Sequence, residues 1–171
     1  MTRADEDARG RPADAAAFVA QLEPLLPSAY RLAFGMLRSE TDAEDAVQDA
    51  ALSAWRGFRR FRRDAELRPW FLTIVANRCR SLRRAPWHRV LRLPMLPLPS
   101  PMVGDDADAI DLRRALDALP HGERLLLVLH FYLDLSYDQV GTVIGTSAKA
   151  AKSRTHRALA RLRLAPEVSH P

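Results

Sequence analysis

Lys149, Lys152, Ser153, Arg154, His156 and Arg157 fall within nine residues, and the segment 147–163 contains no acidic residue. Cations at that density neutralise phosphates. The element that must carry them is a helix. Ala148, Ala151, Thr155, Ala158, Leu159 and Leu162 recur at helical spacing, which leaves the basic residues on a neighbouring side, with Arg161 and Arg163 extending it. Ser147 suits the cap of that helix. Just upstream, Val140 and Ile144 share one face of a shorter helix, and Gly145 follows where the helix must end and positive φ is needed. Two short helices with a basic second member describe a helix-turn-helix whose second helix lies in a major groove. A helical hairpin with a solvated basic face has the same charge. Gly141, four residues before Gly145, favours the helix-turn-helix, because a small side chain lets its two helices approach closely.

A second set lies in the first half of the chain. Trp70, Thr73, Asn77, Arg80 and Arg84 share one side of a helix, with Ser81 beside them. An aromatic, an amide and arginines on one stripe can stack on bases, read their edges and hold phosphates. The opposite side (Phe71, Ile74, Val75, Cys79, Leu82) faces the core, and Pro69 suits the first helical position. A tryptophan here is also a common core residue, though its basic neighbours argue for partial exposure. The basic loop FRRFRRDAELR, with Arg62 and Arg63, precedes this helix.

A third set is acidic. Thr41-Asp42-Ala43-Glu44 reads as a capping box opening a helix that runs to about Phe58. Ala43, Ala46, Val47, Ala50, Ala54, Trp55 and Phe58 form its buried stripe. Asp45, Asp49, Leu52 and Arg56 share the opposite face, with Gln48 beside them. By composition alone this is a solvated face with acids favoured near a helix N-terminus.

The net charge of +5 conceals segregation. Between Arg56 and Arg92 twelve arginines stand against Asp64 and Glu66 alone, while acids gather at Glu40–Asp49 and Asp105–Asp111. Separate faces for a polyanion and for a basic partner explain that sorting better than a uniform solubilising surface. One cysteine, Cys79, excludes an internal disulfide, gives no metal-ligand spacing and reads as a buried inert thiol. No run is long enough for a membrane span and the N-terminus is not a signal peptide, so the expected location is cytoplasmic. There is no Gly-rich phosphate loop, nucleophile elbow or paired His/carboxylate cluster, so neither an enzyme nor a cofactor is expected.

Residues 1–12 read as a disordered tail. A helix from Asp14 carries Phe18, Val19 and Leu22 as its apolar set, and Pro24 and Pro27 interrupt it before the pattern resumes to about Arg38. Residues 85–108 read as a Pro-rich linker of polyproline character, unusually apolar. A helix at 108–119 ends at Pro120, the apolar run 124–133 could by itself be a buried strand but its length between flanking helices favours a buried helix, and 165–171 reads as a frayed tail. The expected architecture is all-α: two small helical modules, 13–84 and 109–164, whose separate cores would each be marginal.

The two halves together resemble the bacterial sigma-70 family of RNA polymerase sigma factors, in its extracytoplasmic-function branch. DAEDAVQDAALSAWRGFRRF followed by RPWFLTIVANRCRSLRR resembles that family's region 2. LPHGERLLLVLHFYLDLSYDQVGTVIGTSAKAAKSRTHRALARLR resembles its region 4. The resemblance implies that region 2 docks on the clamp helices of the polymerase β′ subunit through Asp45, Gln48, Asp49, Leu52 and Arg56, which reverses the composition-only reading of that face. It implies that the loop with Arg62 and Arg63 and the helix with Trp70, Thr73, Asn77, Arg80, Ser81 and Arg84 open and read the minus-ten element. Region 4 would read the minus-thirty-five element through Ser147, Lys149, Lys152, Ser153, Arg154, His156 and Arg157, and contact the β flap. The linker would thread through polymerase, and an anti-sigma factor is an implied partner. The chain departs from the family pattern at Lys149-Ala150-Ala151, where Gly-Thr-Val is common, and at Val140-Gly141, where Ile-Ala is common. Two other functions stay open on the residues: a free-standing helix-turn-helix regulator of duplex DNA, and a polymerase-binding adaptor that starts no transcription.

Overall fold

The computed structural model describes residues 15–61, 65–84 and 107–164, and every regular element among them is helical. The expected tails, residues 85–106 of the linker, and Arg62 and Arg63 lie outside the described residues. Helix α1 covers 15–22, and a 3-10 turn, Glu23–Leu25, joins it to α2 (Leu26–Leu37). Helices α3 (Glu40–Phe58) and α4 (Leu67–Arg84) complete the first module. The second holds α5 (Ala107–Ala118), α6 (His121–Leu127), a π-helical turn (Val128–Tyr132), α7 (Tyr137–Ile144) and α8 (Ala148–Arg163).

Pro24 and Pro27 stand at the second positions of the 3-10 turn and of α2, within the first turn of each, where the N–H has no partner within that element. They redirect the chain without ending the helical run. Phe18 and Leu22 are buried as the periodicity requires, but Val19 is 56% exposed, because it lies one residue further around the helix than Phe18. Arg38 adopts the left-handed region (φ 60°) and closes α2, its N–H bonding to Phe34 O at 2.8 Å. That reversal leaves Ser39 extended, and its hydroxyl accepts from the N–H of Asp42 at 3.3 Å. The cap of α3 is therefore Ser39, not Thr41. Thr41 already sits in the first turn, so the expected Thr41/Glu44 box does not form.

The stripe of α3 is built from small residues. Ala43, Ala46, Ala50 and Ala54 are buried, so α2 and α4 pack close against it, and Trp55 and Phe58 enclose the ring of Phe18 at 5.2 and 5.0 Å between centroids. Helix α4 starts at Leu67, two residues before Pro69, which is buried in its first turn. Its burial is wider than the sequence pattern suggests. It packs against α2, α3 and α7, so Leu72 and Ala76 are sealed along with Phe71, Val75 and Cys79. Burial pushes the Cys79 thiol up to about 12, which leaves it protonated and unreactive.

In the second module Leu125, Leu126, Leu127 and Leu129 are buried, as the apolar run demands. The run does not stay α-helical, however. Leu133 N–H bonds to Val128 O at 2.9 Å, five residues back, and Leu135 N–H to Leu129 O at 3.1 Å, so the widened turn draws Leu133 and Leu135 into the core too. Ser136 and Gln139 then make a reciprocal capping box that starts α7. Gly145 ends α7 at φ 74°, and Ser147 caps α8 by accepting from the Ala150 N–H at 3.2 Å. A Cβ on Gly141 would stand 2.6 Å from Thr146 O, so the close approach inferred from its size is present at the turn itself.

The modules share a core. One apolar cluster runs from Phe18, Leu32 and Phe71 to Leu126, Leu129, Val140 and Val143, and a smaller one (Ala115, Leu119, Leu127, Ala158, Leu162) ties α5 to α6 and α8. Pooling two small cores buries more apolar surface than either module can alone. Polar contacts line the seam. Arg68 Nη2 donates to Leu133 O at 2.6 Å, Gln139 Nε2 donates to the Glu66 carboxylate, Arg38 pairs with Asp117 at 3.2 Å, and the Thr73 hydroxyl lies 3.5 Å from Thr142 O.

His121 opens α6 at this seam. Neither ring nitrogen has a hydrogen-bond partner in the protein, and burial, together with Arg83, Arg124 and Arg80, pushes its pKa down to about 4. The folded chain therefore holds it neutral, whereas an unfolded imidazole gains its proton near 6.5. Stability from this site is complete above about pH 6.5 and is lost as pH falls from there towards 4. Chemical denaturation at pH 7 and pH 5 should show wild type losing stability on acidification and His121→Leu losing less. Equal losses would show that His121 does not couple folding to protons in this window.

Candidate nucleic-acid interface

The side chains assigned to α8 are all at the surface. Lys149, Lys152, Ser153, Arg154, His156 and Arg157 are exposed, while Ala151, Thr155, Ala158 and Leu162 are buried beneath them. Thr155 is polar but satisfied, its hydroxyl donating to Ala151 O at 2.8 Å. Ser147 is exposed, and its oxygen is committed as the helix cap. Arg161 is turned back to Glu123 at 2.8 Å. One unanticipated residue joins this surface: the Tyr137 hydroxyl lies 3.2 Å from His156 Nε2, and Lys152 Nζ stands 6.0 Å from the Tyr137 ring centre. Its place beside the Ser136 cap was the only signal in the sequence.

The α4 set is divided. Asn77, Ser81 and Arg84 are exposed, whereas Trp70, Thr73 and Arg80 are half-buried. Trp70 packs on Phe61, with ring centres 4.7 Å apart, and a Cβ on Gly57 would stand 3.5 Å from the indole, so the indole serves the core as well as the surface. Asn77 Oδ1 accepts from Arg80 Nη1 at 2.8 Å, which aligns the amide with the guanidinium one turn on. Thr73 lies against α7. The stripe expected to read opened DNA is thus partly under the second module.

On α3, Asp45, Gln48 and Arg56 are exposed, and Leu52 is an apolar side chain 55% exposed among them. Asp49 differs. It is half-buried and paired with Arg78 of α4, a partner that the helical spacing of either segment alone does not reveal. Among the described residues, the α3 face therefore offers an exposed carboxylate at Asp45 and an intramolecularly engaged one at Asp49. Among the described residues no group of His, Cys, Asp and Glu is arranged to hold a metal, and no helix is long and apolar enough to cross a membrane.

The model of sigma-70 region 2 matches residues 21–89, and that of sigma-70 region 4 matches residues 109–162. The ECF RNA polymerase sigma factor SigM of Mycobacterium tuberculosis (strain ATCC 25618 / H37Rv) is 37% identical over 134 residues, which cover 78% of this chain and 68% of SigM. RNA polymerase sigma factor SigV of Bacillus subtilis (strain 168) is 29% identical over 136 residues, 79% of this chain and 82% of SigV. Among solved structures, the sigma factor RpoE in complex with the anti-sigma factor NepR from Bartonella quintana superposes with a TM-score of 0.71 at 26% identity, covering 90% of this chain and 99% of that one. CnrH in complex with the cytosolic domain of CnrY gives a TM-score of 0.59 at 27% identity, covering 89% and 86%. With region 2 followed by region 4 along one all-helical chain, and with the identity to SigM, this chain belongs to the sigma-70 family, in its extracytoplasmic-function branch.

Proposed function

We propose that this chain directs core RNA polymerase to promoters by binding the polymerase through α3 and the promoter through α4 and α8. In this reading residues 13–84 and 109–164 are the two working units. Asp45, Gln48, Leu52 and Arg56 form the docking face for the β′ clamp helices, and Asp49 supports it from its pair with Arg78. Asn77, Ser81 and Arg84, with Thr73, Arg80, Trp70 and the loop bearing Arg62 and Arg63, hold the opened minus-ten strand. Ser147, Lys149, Lys152, Ser153, Arg154, His156 and Arg157 meet the minus-thirty-five duplex, where phosphate contacts give affinity and a few base contacts give register. The β flap is the further contact of the second unit.

The single observation that carries this reading is the sorting of exposed charge in the folded chain. An acidic face with an exposed leucine lies on α3, and an acid-free cationic face lies on α8. A duplex-binding regulator has use for the second face and none for the first. Unstacking opened DNA costs a few kcal/mol per step, so captured bases must offset it, and α4 is the helix with an amide and arginines to do so. Because α7 lies over Thr73, the two units must part before Thr73 itself meets a strand. RpoE and CnrH were solved with NepR and CnrY. An anti-sigma partner for this chain is proposed by analogy with them. The reading assigns no reaction and no cofactor to this chain.

Run-off transcription by core polymerase on a pooled genomic promoter library tests the reading. New starts that share two upstream elements and require this chain are the expected result. Core binding without new starts would replace it with the adaptor, and specific duplex binding without core binding would replace it with the free-standing regulator.

A further inference from the structure

Three rings stand in a row between the π-helical turn and the outer face of α8. His130 Nδ1 lies 2.8 Å from Leu135 O, and since a carbonyl only accepts, Nδ1 carries the proton there. The His130 ring stacks on Tyr137, with centres 4.2 Å apart and planes at 23°. Tyr137 in turn meets His156 edge-on, centres 6.0 Å apart at 76°, with its hydroxyl 3.2 Å from Nε2. Lys152, one turn before His156 on the same stripe of α8, has its ammonium 6.0 Å from the Tyr137 ring centre. His130 and Tyr137 are half-buried, whereas Lys152 and His156 are exposed. A half-buried, stacked tyrosine thus contacts His156 and lies beneath the Lys152 ammonium, two exposed residues of the helix proposed to enter DNA.

We propose that Tyr137 is a positioning residue for recognition of the upstream promoter element: its hydroxyl donates to His156 Nε2, so that His156 presents Nδ1–H to an acceptor on duplex DNA, with Lys152 held alongside. The inference rests on the reading of α8 as the minus-thirty-five helix and deepens it. Its physical basis is preorganisation. An exposed histidine and lysine sample several rotamers and, for the histidine, two tautomers, and DNA binding must select one arrangement. The tyrosine makes that selection in the free chain. His130 keeps Tyr137 in place from behind, and the Nδ1–H···O bond to Leu135 keeps His130 in place, so the arrangement is anchored in the hydrogen-bonded turn that follows α6. The chain departs from the family pattern at Lys149-Ala150-Ala151, and a fixed His156 gives α8 a base-reading group just beyond that stretch.

The test uses polymerase holoenzyme reconstituted with the full chain and a promoter library randomised in the upstream element. Tyr137→Phe keeps the ring and its stack on His130 and removes only the hydroxyl. Tyr137→Phe and His156→Ala should each relax preference at the same base position. Tyr137→Phe should weaken binding about 2- to 10-fold, the range expected when one side chain is no longer prearranged. The double variant should be no worse than His156→Ala alone. A second readout separates positioning from folding. In the free chain, imidazole nitrogen–proton correlation spectra should show His156 as the Nδ1–H tautomer in wild type and as a mixture of tautomers in Tyr137→Phe, with an unchanged melting curve. Additive losses in the double variant, or an unaltered His156 tautomer, would overturn the proposal. If His156→Ala leaves the selected sequences unchanged while Arg154→Ala alters them, the role of Tyr137 falls and the reading of α8 stands. If neither alters them, both fall.

Discussion

Asp45→Arg should weaken binding of the chain to core RNA polymerase about a hundredfold, roughly 2.7 kcal/mol. Asp45 is exposed on α3 beside Gln48 and Leu52, on the face left over after Ala43, Ala46, Ala50 and Ala54 are buried against α2 and α4. Reversing its charge turns attraction for a cationic partner into repulsion without touching the core, so stability should change by no more than about 0.5 kcal/mol. Asp49 makes a poorer probe. A lysine there would face Arg78, loosen α3 from α4 and mix a folding defect with a docking defect. Equilibrium binding to fluorescently labelled core polymerase, with melting curves alongside, gives both quantities. Undiminished affinity for Asp45→Arg would mean that polymerase docks elsewhere.

Phe71→Ala should have the largest effect on folding, lowering the free energy of unfolding by about 3–5 kcal/mol. Phe71 is the largest of the fully buried side chains and belongs to the apolar cluster that spans both modules. Domains of this size have about 5–15 kcal/mol in total, so the loss removes a large share. Since the cluster is common property, the second module should lose stability with the first, and urea unfolding should remain a single transition with a lower midpoint. Two separated transitions in the variant would show that the modules fold independently. A loss under about 1 kcal/mol would show that the site collapses around the missing ring.

The helical periods, the glycine at the end of α7, the Ser147 cap and the buried stripes of α3 and α8 were legible in the sequence because each depends on neighbours within a turn or two. The same locality explains the miss at Thr41. The cap of α3 was decided by where α2 reversed, and a left-handed arginine gives no signal in composition. The π-helical turn escaped for a related reason, since a buried apolar run has the same hydrophobicity whether its bonds span four residues or five. Contacts between distant segments left the least trace. Asp49 and Arg78, Tyr137 and His156, and α7 over Thr73 each join residues that no spacing rule connects. The outward faces of α3 and α8 were legible for the opposite reason: among the described residues they pack only within their own module, so composition and period determine them. The stripe on α4 was only half legible, because the second module lies on it.

Cys79 is the sole sulfhydryl of the chain and has no exposure at all. Oxidants and alkylating reagents therefore reach it only when the core around α4 opens, and the rate of labelling becomes a clock for that opening. The same seclusion gives experimenters a silent background. A cysteine introduced on the surface of either module would be the one thiol to take a dye or spin label, so whether the modules part on polymerase can be tested in a chain otherwise unaltered.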